Sequence, residues 1–213
     1  MEFAIKKKYD VFAWNVVISQ VLSDGDHEQI KNVFKKVTEL MPDQESYYLK
    51  WLQYEQAKGD TEAMEHIFKE VLPVSFSVAL WNFYLGYVVQ AQAQSPEVIQ
   101  SAYEFALSQI GNDLESGGIW LDYIAFVKEG FTTSTFEEQQ KMETIRKLYQ
   151  RAVKVPLSNI EYIWKDYDTF ENNLNKTTVY IEIVIDIGEK VYSGLCRALH
   201  DCKSGTKGTK GVL

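Results

Sequence analysis

All five tryptophans of the chain sit in one recurring frame, and a frame that recurs constrains the fold more tightly than composition does. The frame is Trp, then Tyr three residues on, an aromatic six on, and Glu or Val seven on. It reads Trp81-Tyr84-Tyr87-Val88, Trp120-Tyr123-Phe126-Val127 and Trp164-Tyr167-Phe170-Glu171. A swapped copy places Tyr48 in the Trp slot and Trp51 in the Tyr slot, followed by Tyr54 and Glu55, and a degenerate copy begins at Trp14. The starts at 14, 48, 81, 120 and 164 give spacings of 34, 33, 39 and 44 residues. A period in that range is the signature of stacked helical hairpins. Arrays of that kind serve mainly as binding surfaces.

Offsets 0, 3 and 7 share one helix stripe, with offset 6 beside it. Each frame is therefore read as the buried face of a first helix, A. A second amphipathic helix, B, follows each of the first four frames. Its stripes are Ile30-Val33-Phe34-Val37, Ile67-Phe68-Val71-Leu72, Val98-Ala102-Tyr103-Ala106 and Ile145-Leu148-Tyr149-Ala152. All four contain an aromatic residue followed three positions later by Val or Ala. Helix starts are marked by Asp26-x-x-Gln29, Asp60, Ser95-Pro96, Thr135-x-x-Glu138 and Ser158-x-x-Glu161. Pro42, Pro73 and Pro156 fall just past B helices. Gly86, inside the third A helix, is read as a close helix crossing, and Glu129 to Thr135 as a surface loop.

The expected fold is all-α, a right-handed-type α-solenoid of about five hairpins, with ten helices in five antiparallel pairs and no sheet in residues 1–176. The expected core residues are Trp14, Tyr48, Trp51, Trp81, Tyr84, Trp120, Tyr123, Trp164 and Tyr167. Residues 177–203 are set apart as an atypical segment: Val179 to Ile187 carries apolar residues at every odd position, a strand period, while the repeat context favours helix. The β-branched run is an aggregation hazard at the end of an array. The Gly-Thr-Lys echo of 204–213 reads as a disordered tail.

With 46% hydrophobic residues the chain is not of disordered composition. No apolar run approaches the ~18 residues of a membrane span, and Met1 to Lys8 lacks a signal-peptide core. The repeats contain no cysteine, so no disulfide framework holds them. A net charge of −8 opposes a broad electrostatic footprint on nucleic acid.

In order, Leu80 to Val88, Ala102 to Gly111, Ile119 to Ile124, Arg146 to Ala152 and Asn159 to Tyr167 carry a closer likeness. They resemble the half-a-tetratricopeptide (HAT) repeats of RNA-processing scaffolds, and in particular the N-terminal HAT domain of the suppressor of forked family, the large HAT subunits of cleavage stimulation factor. The resemblance covers roughly residues 3–176. It implies a nuclear, non-catalytic scaffold of pre-mRNA 3′-end cleavage and polyadenylation. The implied partners are other subunits of that complex, with pre-mRNA reached indirectly and no membrane involved. The family dimerises through a second HAT domain that this sequence does not include, so no homodimer is expected. Splicing scaffolds with HAT repeats are the alternative, and direct single-stranded RNA binding is another.

The candidate contact residues are Lys141, Lys147, Arg151 and Lys154, a basic stripe in an acidic chain that suits an acidic partner or RNA phosphate. A solvated helix face is the plainer reading. No catalytic group, cofactor or metal site is expected. Cys196, His200 and Cys202 match no common zinc spacing. Asp24-Gly25-Asp26-His27-Glu28 is metal-like in composition, but a turn and a helix cap account for it. His66 reads as a surface residue.

Overall fold

A computed structural model of the protein describes residues 10–24 and 26–174. Every regular element among them is a helix, and the chain divides into two compact units at Ser95 and Pro96. The first unit holds α1 (Val11–Asp24), α2 (His27–Leu40), α3 (Glu45–Lys58), α4 (Thr61–Val71) and α5 (Val78–Ala91). The second holds α6 (Pro96–Ile110), α7 (Gly117–Glu129), α8 (Thr135–Ala152) and α9 (Ile160–Leu174). The expected fifth B helix, the strand-or-helix question at 177–192 and the Cys196, His200 and Cys202 group all lie outside the described residues.

In the first unit α1 packs on α2, α2 on α3 and α3 on α4, and α3 also meets α5, so the A helices of successive repeats touch. The second unit repeats this: α7 packs on α6 and α8, α9 on α8, and α9 also touches α7. The B stripes face the core. Ile30, Val33, Phe34 and Val37 are buried on α2, and Ile67, Phe68 and Val71 on α4. Ile145, Leu148, Tyr149 and Ala152 are buried on α8. On α6 the buried stripe is Ile99, Ala102, Tyr103 and Ala106, while Val98 is exposed, so that stripe begins one position later than its pattern suggests. Helices α4, α6 and α8 span 11, 15 and 18 residues.

Residues with local hydrogen-bonding side chains set the helix ends. Asp60 caps α4 by accepting from Ala63 N at 3.0 Å, and Pro96 is the first residue of α6, where its missing N–H costs nothing. Three caps differ from expectation. The Asp26 side chain makes no cap hydrogen bond at α2. The box at α8 is one residue earlier: Ser134 accepts from Glu137 N, and the Glu137 carboxylate accepts from Thr133 N and Oγ1. Ser158 stands one residue too early to cap α9, and its hydroxyl donates to Glu115 instead. Ser77 caps α5 through Leu80 N. Gly59, at φ +75°, ends α3 in the left-handed conformation that suits glycine.

Gly86 is not a helix crossing: a Cβ built there meets nothing within 4 Å. Its cost in a helix interior is then one of backbone entropy alone. Gly86→Ala is expected to stabilise the protein by about 1 kcal/mol. That is a rise in melting temperature of roughly 2–4 °C, measurable by calorimetry.

Candidate protein-interaction surface

The helical frame positions everything a partner would meet, and its aromatic residues do two separate jobs. The first residue of the frame anchors an A helix. Trp14 and Trp81 are fully buried and Trp120 nearly so. The Trp81 indole N–H donates to Ser75 O and that of Trp120 to Gly111 O, both at 3.0 Å. Each bond ties the start of an A helix to a carbonyl in the loop before it. At Gly111 the same carbonyl also accepts from the buried Ser116 hydroxyl, at 3.1 Å. A Cβ on Gly111 would lie 2.3 Å from Leu107 O, so only glycine holds this turn without a backbone shift.

The aromatic three positions on packs against the B-helix aromatic of the preceding repeat, face to face in three pairs and edge-on between Phe68 and Tyr84. The pairs are Phe34 with Trp51, Phe68 with Tyr84, Tyr103 with Tyr123 and Tyr149 with Tyr167, at ring separations of 5.9, 5.2, 4.9 and 5.1 Å. The aromatic six positions on reaches the same rings: Tyr87 to Phe68, Phe126 to Tyr103 and Phe170 to Tyr149. Within each unit the frame is thus a ladder in which the rings of one hairpin pack on those of the next. Such pairs contribute about 0.5–1.5 kcal/mol beyond the area they bury.

The ladder explains the swapped copy. Trp51 occupies the stacking slot, parallel to Phe34, and is only half-buried. Tyr48, expected in the core, is half-buried as well, while its neighbour Tyr47 is fully buried. Tyr84 and Trp164 are likewise half-buried, whereas Tyr123 and Tyr167 are buried.

Burial acts on the phenols of the ladder. It pushes Tyr103 and Tyr123 from about 10 up to about 12, helped by the nearby charges of Asp122 and Glu104 respectively. Tyr149 rises further still, through burial and its hydrogen bond to Asp166. The folded state therefore holds these protons more tightly than the unfolded state does. Stability is fully present below pH 10 and is expected to fall between pH 10 and pH 12. Urea melts across that range, read beside phenolate absorbance, check it; a flat stability profile would mean the rings are solvated.

Ion pairs brace the same interfaces. Arg151 on α8 donates two bonds, 2.7 and 2.9 Å, to the Glu104 carboxylate on α6, and its guanidinium lies 5.2 Å from the Trp120 ring centre. Arg146 holds Glu171 of α9 through two bonds, 2.6 and 3.0 Å. Lys128 of α7 reaches both the Tyr149 hydroxyl, at 2.6 Å, and Asp166, at 3.1 Å.

Three members of the basic stripe therefore have acceptors within the chain. Arg151 is a strut between α6 and α8, and Lys141 donates to Gly130 O at 2.7 Å, closing the α7–α8 loop. Lys147, exposed, sits 3.5 Å from Glu143. Lys154 lies past the end of α8, so the helical stripe stops at Arg151. Glu104, Asp166 and Lys128 carry no signal in the sequence, and Glu171 only its frame position, because their partners stand 25 to 47 residues away.

Comparison with known proteins follows the same lines. The family model described as Suppressor of forked protein matches residues 2–193. The mRNA 3′-end-processing protein rna14 of Schizosaccharomyces pombe is 35% identical over 173 residues, covering 79% of this chain and 24% of that protein. Protein suppressor of forked of Drosophila melanogaster is 33% identical over 172 residues, covering 79% of this chain and 22% of its own length. The crystal structure of CstF-77 matches at a TM-score of 0.52 and 28% identity, over 70% of this chain and 30% of that one. The chain spans about a quarter of the length of these two relatives.

Proposed function

Because the chain belongs to the suppressor of forked family, we propose that it is a non-catalytic scaffold of nuclear pre-mRNA 3′-end cleavage and polyadenylation. The observation that carries this reading is the family match across residues 2–193, which includes all nine described helices. The names of the relatives, mRNA 3′-end-processing protein and suppressor of forked, supply the process. The interior supports the role. Within each unit, packed rings and cross-helix ion pairs fix neighbouring helices against each other, and a rigid helical surface presents contact residues at low entropic cost.

The partners on this reading are other protein subunits of the cleavage and polyadenylation complex, with pre-mRNA reached through them. The electrostatics agree with protein contacts: the chain is acidic, and Arg151, Lys141 and Lys147 face internal acceptors. Affinity purification of the full chain from nuclear extract, followed by mass spectrometry, tests the proposal. Recovery of cleavage and polyadenylation subunits is expected. Recovery of splicing subunits in their place would assign the chain to the other HAT scaffolds. RNA affinity that falls steeply with salt and disappears in Lys147→Glu/Lys154→Glu would replace indirect RNA contact with direct contact.

A further inference from the structure

Three side chains that metals use converge where the first repeat of the first unit meets the second. A His27 ring nitrogen, a Glu55 carboxylate oxygen and an Asp60 carboxylate oxygen lie within 4.8 Å of one another. They come from the start of α2, the last turn of α3 and the cap of α4. Glu55 is fully buried. Its Oε1 accepts the Trp51 indole N–H at 2.9 Å, and its Oε2 has no hydrogen-bond partner. A buried carboxylate oxygen left in that state is costly unless a cation or a donor meets it. The nearby Lys31 ammonium donates to Asp60 Oδ2 at 3.0 Å and makes no bond to Glu55 Oε2.

We propose that His27, Glu55 and Asp60 form a binding site for one divalent transition-metal ion, with Zn²⁺ the ion best suited to the set. An imidazole and two carboxylates make a borderline ligand set with room for water in the fourth position. Ligand atoms about 2.0–2.2 Å from a tetrahedral ion lie roughly 3.4 Å apart, so binding draws the three groups inward by about an ångström. The Tyr54 hydroxyl, 2.8 Å from His27 Nδ1, orients the ring as outer-shell partners of bound imidazoles do. His27 belongs to the Asp24 to Glu28 segment whose metal-like composition a helix cap was expected to explain, and Asp26 does not cap. A bound ion would staple α2, α3 and α4 together and supply the charge that Glu55 Oε2 lacks. Lys31, a cation beside the site, weakens the attraction for a second.

The test is a ZnCl₂ titration of the full chain carrying Cys196→Ser, His200→Gln and Cys202→Ser, which removes the other potential ligands near the C-terminus. Melting temperature and isothermal calorimetry are the readouts. A saturable rise with one ion per chain is expected. Glu55→Gln, which keeps the acceptor for Trp51, and separately His27→Gln should weaken binding at least tenfold, while Lys31→Met should tighten it. X-ray absorption of the zinc-loaded protein should show a nitrogen and oxygen shell at about 2.0–2.2 Å without sulfur. Absence of a thermal shift, or a shift that survives unchanged in both Glu55→Gln and His27→Gln with native circular dichroism, overturns the site.

Discussion

Trp120→Ala is expected to destabilise the protein by about 3–5 kcal/mol, the usual cost of emptying a large aromatic site in a core. The ring is 4% exposed, its N–H bonds Gly111 O, and Arg151 lies across its face on the way to Glu104. Truncation therefore opens a cavity, removes the tie between α7 and its preceding loop, and takes away the surface on which the Arg151 strut rests. Trp120→Phe separates these effects. It keeps most of the volume and leaves Gly111 O with the Ser116 hydroxyl, so a smaller loss of about 1–2 kcal/mol is expected. Urea melts of the two variants decide it. If Trp120→Ala melts with the parent protein, the frame residue is not a core anchor.

Tyr149→Ala is the second large effect, again about 3–5 kcal/mol. The residue is fully buried, and its ring touches Tyr167 and Phe170 of the next repeat while Lys128 lies 5.1 Å from its centre. The hydroxyl matters less. Lys128 and Asp166 remain paired at 3.1 Å without it, so Tyr149→Phe is expected to cost only about 1 kcal/mol. Equal losses in the two variants would place the energy in the polar network and not in the ring stack.

Periodicity made much of this legible in advance. A Trp in a fixed slot with an aromatic three residues on identifies the A helices, because only a helix puts those offsets on one side. The frame did not reveal that its residues serve different neighbours. Tyr48 was assigned to the core by analogy with Trp81, yet the α3 backbone turns Tyr47 inward, and Trp51 is placed by its stack on Phe34. Caps were found to within a residue, since Ser134 and Thr135 offer the same chemistry one position apart and only the backbone path chooses between them. The basic stripe shows a different limit. Arg151 looks like a free cation when α8 is drawn alone, and the Glu104 that claims it arrives from 47 residues away. Glu55 was legible as a frame member, but its orphan oxygen appears only when α2 and α4 close around it.

The B-helix lengths, 14, 11, 15 and 18 residues in α2, α4, α6 and α8, also govern what can be inserted into this chain and where. The steps of three, four and three residues are each close to one turn of 3.6. An indel of that size lengthens the cylinder and returns the following residues to the same azimuth, so the aromatic that meets the next repeat keeps its partner. An indel of two residues rotates everything beyond it by about 200° and would turn Tyr149 or its equivalents toward water. Length variation in such repeats is thus quantised in helical turns, and a chimaera that exchanges B helices of unequal length should be cut at whole-turn boundaries.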